Sequence, residues 1–130
     1  MTDPSTYQPA GWHTVTPRII VRGAKNLVDF VKHVFGATGE YHPQVPAELR
    51  IGDSIIMISE TGVRDTVPAC LYVYVESADD TWRRAVDAGA RSIEAPLDTP
   101  YGDRRGMIQD QWGNTWQIAT RKPVRGRNAE

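Results

Sequence analysis

The stretch TVTPRIIVRGAKNLVDFVKHVFGA, residues 14–37, decides the fold. Its opening, residues 14–21, is short and β-branched, which favours a strand because branched side chains suit a pleated, half-buried surface. Over residues 25–35 the apolar positions are Leu27, Val28, Val31, Val34 and Phe35. That spacing lays one stripe along a helix, and Gly36 supplies its stop. Downstream, residues 47–51 alternate, with Glu48 and Arg50 on one face and Ala47, Leu49 and Ile51 on the other. A Gly52-Asp53 turn leads into residues 54–58 (SIIMI), which predicts a hairpin.

The same order then recurs. LYVYV, residues 71–75, reads as a strand. Residues 79–88 read as a helix with Trp82, Ala85 and Val86 on its apolar side and Gly89 behind it. Residues 105–109 and 115–119 read as strands joined by a turn over 110–114, and a short strand is expected after each helix, at 38–41 and 92–94. The chain therefore reads twice as strand, helix, strand, strand, strand, an internal duplication rather than a solenoid. The expectation is an α+β fold of two βαβββ modules, about residues 12–60 and 68–121, forming a cupped mixed sheet. Residues 1–11, with Pro4, Pro9 and Gly11, read as a flexible arm, 12–121 as the domain, and 122–130 as a polar tail. One helix covers one face of each sheet, and a ligand is the expected occupant of the other.

Composition narrows the partners. The 130 residues suit one domain, commonly about 100–150 residues, and need no disulfide to hold a core. Fifteen basic residues stand against 16 acidic, a net charge of −1, which offers no footprint for nucleic acid and no polybasic patch for a membrane. The basic run Arg121, Lys122, Arg125, Arg127 is interrupted by Pro123 and Gly126 and reads as solvated. Cys70 is the one cysteine, so no intrachain disulfide forms, and a reducing, cytoplasmic setting is expected. The opening MTDPSTYQPAGWH lacks the basic start and apolar core of a secretory signal, and no apolar run approaches the roughly 20 residues of a membrane span.

The residues also carry a resemblance. TVTPRIIVRGAKNLVDFVKHVFGA, AELRIGDS at 47–54 and TPYGDRRGMIQDQWGNTWQIAT at 99–120 resemble, in order and spacing, the short stand-alone branch of the glyoxalase/bleomycin-resistance superfamily, also called vicinal oxygen chelate. The likeness covers about residues 12–121 and implies the same paired βαβββ fold. Enzymes of that family hold a divalent metal through a His or Glu on the first and last strand of each module. Carried over one by one, those positions fall on Thr16, on Cys70, on Gln117 and, in the first module, near Ile56 or Met57. A histidine common in this branch falls on Pro46. Glutamine brings no charge, and one thiolate does not make a site. The resemblance therefore implies a metal-free cleft with no cofactor.

Each candidate residue has a plain reading beside the functional one. Of the three histidines, His33 faces away from the apolar stripe and reads as solvated, while His13 before a strand and His42 in a loop before Pro43 have no partner at ligand spacing; none reads as a metal ligand or general base. Arg18, Glu48 and Arg50 are expected on the concave side, either as a salt-bridged rim or as an acid beside arginines that keep it ionised or clamp an anionic ligand. Tyr72 and Tyr74 share the face of Cys70; they read either as core aromatics or as a platform for a planar organic ligand. Trp112 lies in a turn and Trp116 is expected to point at the helix. Cys70 has no evident base to activate it and reads as a buried spectator. Tyr101, Asp103, Arg104 and Arg105 form a turn shaped by Gly102, or a lid from which Arg105 or Gln109 reaches in. Two functions follow as expectations. One is a dimeric, metal-free module that holds a small organic molecule, for sequestration or resistance, although a net charge of −1 suits a strongly cationic drug poorly. The other is an enzyme, either a lyase, isomerase or cyclase with Glu48 as general base, or a metal-dependent glyoxalase- or dioxygenase-type enzyme. A homodimer is expected because a half-covered sheet leaves apolar surface.

Overall fold

Pro17 decides where the first strand begins. Proline has no N–H to give a ladder, so pairing starts at its carbonyl, which accepts from the Met57 amide at 2.9 Å. Strand β1 is Arg18–Val21, shorter than the expected 14–21. This computed structural model describes residues 3–123; Met1 and Thr2 of the arm, and 124–130 of the tail with Arg125 and Arg127, lie outside the described residues. The chain divides into two compact units, the first ending at Val67 and the second starting at Pro68.

In the first unit, β1 is followed by helix α1 (Ala24–Phe35), β2 (Ala47–Ile51) and β3 (Ser54–Glu60). The sheet order is β1-β3-β2, with β1 parallel and β2 antiparallel to β3. Register places Ile19, Ile58 and Ala47 in one row and Ile56 opposite Leu49. These residues are buried with Leu27, Val28, Val31 and Val34 of α1, the stripe that the spacing anticipates. Burying each such side chain contributes about 1.5–3 kcal/mol. Glycine begins α1 as well as ending it: Gly23, at φ 89°, offers no side-chain cap. Glu60 supplies the cap instead, accepting from the Gly23 amide at 3.1 Å and the Ala24 amide at 2.8 Å. A carboxylate at a helix start is stabilised by the unpaired amides and the helix dipole.

The expected strand over 38–41 does not form. Thr38 makes only an isolated bridge to Arg50, and the reason sits at the next residue. Gly39 has φ 128°, and a Cβ there would lie 2.3 Å from the Glu48 carbonyl oxygen. Thr38 and Arg50 exchange both backbone bonds at 3.0 and 2.9 Å, but the positive φ of Gly39 takes the chain out of the extended conformation at the next residue, so the first sheet has three strands.

In the second unit, β4 (Cys70–Tyr74), α2 (Ala78–Asp87), β5 (Arg91–Asp98), β6 (Asp103–Gln109) and β7 (Thr115–Arg121) give the full βαβββ order. The sheet runs β4-β7-β6-β5, with β4 parallel to β7 and the other pairs antiparallel. Strand β5 outruns the expected 92–94 and bends through register shifts on either side of Glu94. Ser77 caps α2 by accepting from the Asp80 amide. Trp116, Ile108, Ile118 and Ala85 form the core, and Trp116 does face inward as expected. Gly106 lets the Trp82 ring sit against β6, since a Cβ there would be 2.8 Å from Trp82 Cδ1. Both sheets are mixed and each unit has one helix, an α+β fold. No helix among the described residues is long and apolar enough to cross a membrane.

Candidate functional site

Strand parity sets what each open face carries. In the first unit the row Arg18, Met57, Glu48 runs across the sheet, with Ile20 opposite Ser59 in the next row of β1 and β3. A cavity of about 460 Å³ is lined by Arg18 and Ile20 of β1, Ser59 of β3, the 41–46 segment and the 61–64 turn. The Arg18 guanidinium donates to the Ser59 hydroxyl at 3.2 Å. Glu60 also lines the cavity, but both of its oxygens already accept from backbone amides. Those amides, Ala24's foremost and then Gly23's, hold its carboxyl below the usual range.

The structure separates Glu48 from Arg18, which shares its face. Met57 stands between Glu48 and Arg18, so two strand spacings, about 10 Å, keep them apart. Among the described residues Glu48 forms no ion pair, and neither Glu48 nor Arg50 lines the cavity. The salt-bridged rim is therefore absent at this pair. Sequence reasoning missed Tyr41, His42, Val45 and Pro46, which line the cavity. His42 lies in a loop, as expected, and is exposed; a bridge between His42 and Val45 ties that loop together along the cavity. No periodicity marks such a segment.

The open face of the second unit is a polar cluster built on Asp103. The rows Tyr72, Gln117, Met107 and Tyr74, Ala119, Arg105 lie side by side, and Asp103 pairs with Arg121. The Asp103 side chain is 1% exposed. Its Oδ2 accepts the Tyr72 hydroxyl at 2.6 Å and the Tyr74 hydroxyl at 2.8 Å, while Arg121 donates to Oδ1 at 3.2 Å. The Tyr72 hydroxyl, with Tyr74 and Arg121, holds the Asp103 carboxyl below the usual range despite burial. Burial, reinforced by the Asp103 carboxylate, pushes the Tyr72 phenol up; the hydrogen bond to Asp103 does the same for Tyr74. Tyr101 moves the other way, because the Tyr72 hydroxyl 3.3 Å off and the Arg105 guanidinium stabilise its phenolate. Arg105 in turn pairs with Glu94.

Six expected site residues thus share this face: Cys70, Tyr72, Tyr74, Arg105, Gln109 and Gln117. The two tyrosine rings sit 5.4 Å apart, tilted by 60°. Gln109 is engaged by Arg91 at 2.8 Å. Cys70 is exposed, a correction to its reading as buried, because it begins an edge strand on the uncovered face. The 99–103 turn is pinned rather than loose. Thr99 bonds Asp103 through both backbone and hydroxyl, and Arg121 donates to the Tyr101 carbonyl at 2.6 Å. Arg104 turns away to Asp79 and Asp98. Glu94 was absent from the expected site, and Asp103 was expected only as part of the turn at 101–105; its strand parity, the same as that of Arg105, was the available signal for its place on this face.

The family's metal positions can be tested on their donors. Thr16 precedes β1, and in the second unit the Cys70 thiol faces the Gln117 amide oxygen at 4.0 Å. A thiol and a neutral amide do not make a donor set for a divalent ion. Among the described residues no three His, Cys, Asp or Glu side chains are grouped to hold one. The residues present do not fit the metal.

A family model for the glyoxalase/bleomycin resistance protein/dioxygenase superfamily matches residues 13–118. The chain belongs to that superfamily. Among curated proteins, it is 27% identical over 135 residues to an uncharacterized protein of Mycobacterium bovis, covering 89% of this chain and 87% of that one. Among solved structures, superfamily folds recur at low identity. TioX from Micromonospora sp. ML1 matches with TM-score 0.66 at 22% identity, covering 82% of this chain and 98% of TioX. The fosfomycin resistance protein FosX from Mesorhizobium loti matches with TM-score 0.64 at 17% identity, covering 83% and 91%. A superfamily enzyme from Burkholderia phytofirmans PsJN matches with TM-score 0.68 at 22% identity, covering 79% and 94%.

Proposed function

We propose that this superfamily member is a metal-independent small-molecule-binding protein that holds a small organic compound, in the manner of a sequestering or resistance protein. The observation that carries this reading is the cavity of about 460 Å³ in the first unit. Its volume falls in the range of small-ligand pockets, roughly 300–1,000 Å³, and its wall mixes apolar groups with a few polar ones. The similar fosfomycin resistance proteins supply the precedent of a small organic compound as the target. Metal independence rests on the donors at the family positions, Thr16, Cys70 and Gln117. The test is a set of small aromatic compounds titrated into isotope-labelled protein and followed by amide NMR shifts, with and without EDTA. Shifts should gather at Arg18, Ile20, Tyr41 and Ser59, with the same affinity in both conditions. Binding that vanishes in EDTA and returns with a divalent cation, or shifts that never reach these amides, would overturn the reading.

A further inference from the structure

We infer that the cavity of the first unit takes a small organic anion, its charged head on the Arg18 guanidinium and its apolar body against Ile20, Val45 and Pro46. The inference rests on reading this cavity as a binding site and adds the charge of what enters it. Three ionic groups line the wall: Arg18, Arg64 and Glu60. Glu60 is the one carboxylate, and it is spent on α1, both oxygens taken by the Gly23 and Ala24 amides. Its charge faces the helix start, where the dipole offsets about half an elementary charge. The two guanidiniums have no such counter-charge.

Among the described residues, Arg18 bonds only the neutral Ser59 hydroxyl, leaving most of its five N–H donors unused. The Arg64 side chain forms no ion pair among the described residues; its carbonyl accepts from the Thr61 hydroxyl at 2.8 Å and the Gly62 amide at 3.1 Å. A planar fork beside an apolar wall recognises a carboxylate or similar oxyanion in two-point fashion. A cationic ligand would meet two guanidiniums against a single carboxylate whose oxygens already face backbone amides. A neutral one would leave the fork's donors to water.

The experiment uses three probes with one body: 2-naphthoate, 2-naphthamide and 2-naphthylmethylammonium, titrated into the full chain by calorimetry in low-salt buffer. The acid should bind at least about tenfold more tightly than the amide, because a carboxylate brings a counter-charge and two acceptor oxygens to the guanidinium fork where the amide offers one neutral oxygen. The ammonium should bind weakest, and added salt should narrow the preference. Arg18→Gln should bring acid and amide to near-equal affinity, and Arg64→Gln should narrow the gap in part. Should Arg18→Gln fail to fold, the Arg64→Gln gap and the salt dependence still decide. Acid and amide binding alike in the unmodified protein would overturn the anion inference while leaving the cavity a small-molecule site. No binding of any of the three at millimolar concentration would overturn both.

Discussion

Replacing Asp103 by asparagine removes one charge and keeps the shape, which isolates what the carboxylate does for the second sheet. Its Oδ2 holds Tyr72 and Tyr74 at 2.6 and 2.8 Å, and Oδ1 faces Arg121. An asparagine oxygen can keep both phenols only if its NH₂ group points at the Arg121 donor, so that third bond is lost. Arg121 is 60% exposed, and a pair so open to solvent is worth at most about 1 kcal/mol. The two phenol bonds fall from charge-assisted, about 1.5–3 kcal/mol each, to neutral, about 0.5–1.5. Asp103→Asn should therefore destabilise the fold by roughly 2–4 kcal/mol near neutral pH. Urea unfolding followed by circular dichroism measures it as a lower midpoint at unchanged slope. A pH series supplies the second half. The folded carboxyl is held below its usual value of 3.8, so its stabilisation is present above that pH and is lost as pH falls through the lower folded value. The gap between the two proteins should shrink in acid. A difference below about 0.5 kcal/mol at neutral pH, the size of an ordinary surface substitution, would refute the hub role of Asp103.

The phenols should titrate apart. Tyr101 should ionise before Tyr72 and Tyr74 in an ultraviolet absorbance titration, and Tyr101→Phe should delete the early step. Because the Tyr72 and Tyr74 values are raised, their contribution to stability is present below about pH 10 and is lost as pH rises through the folded values; a single step for all tyrosines near pH 10 would contradict the network. We also propose a homodimer. Tyr72, Tyr74, Ile93 and Leu97 leave apolar groups of the second unit exposed. Sedimentation velocity should give twice the chain mass at micromolar concentration, and a monomer there would exclude it.

Helix α1, the β2–β3 hairpin and the 110–114 turn were all legible, because each depends on residues close in sequence. A stripe at Leu27, Val28, Val31 and Val34 has no other use than one buried face, and a Gly-Asp pair between alternating runs closes a hairpin. Parity carried the reading further and put Tyr72, Tyr74 and Gln117 on one face of the second sheet. It failed for the 38–41 strand. There the chain leaves the extended conformation at Gly39, whose φ of 128° and missing Cβ allow a close approach to the Glu48 carbonyl, a contact between segments that parity within either one does not contain.

The sequence by itself determined the order of helix and hairpin in each half, the buried stripes and the faces of the strands. Only the tertiary structure decided which charges are spent and which are free. Glu60 lies 36 residues from the helix start whose Ala24 amide it caps, and Asp103 lies 31 and 29 residues from the phenols it gathers. Glu48 and Arg18 share a face, yet Met57 keeps them apart. Periodicity reports the side of an element to which a residue points. A hydrogen bond or ion pair needs two atoms within about 3 Å, and for residues distant in the chain that distance is set by how the elements pack.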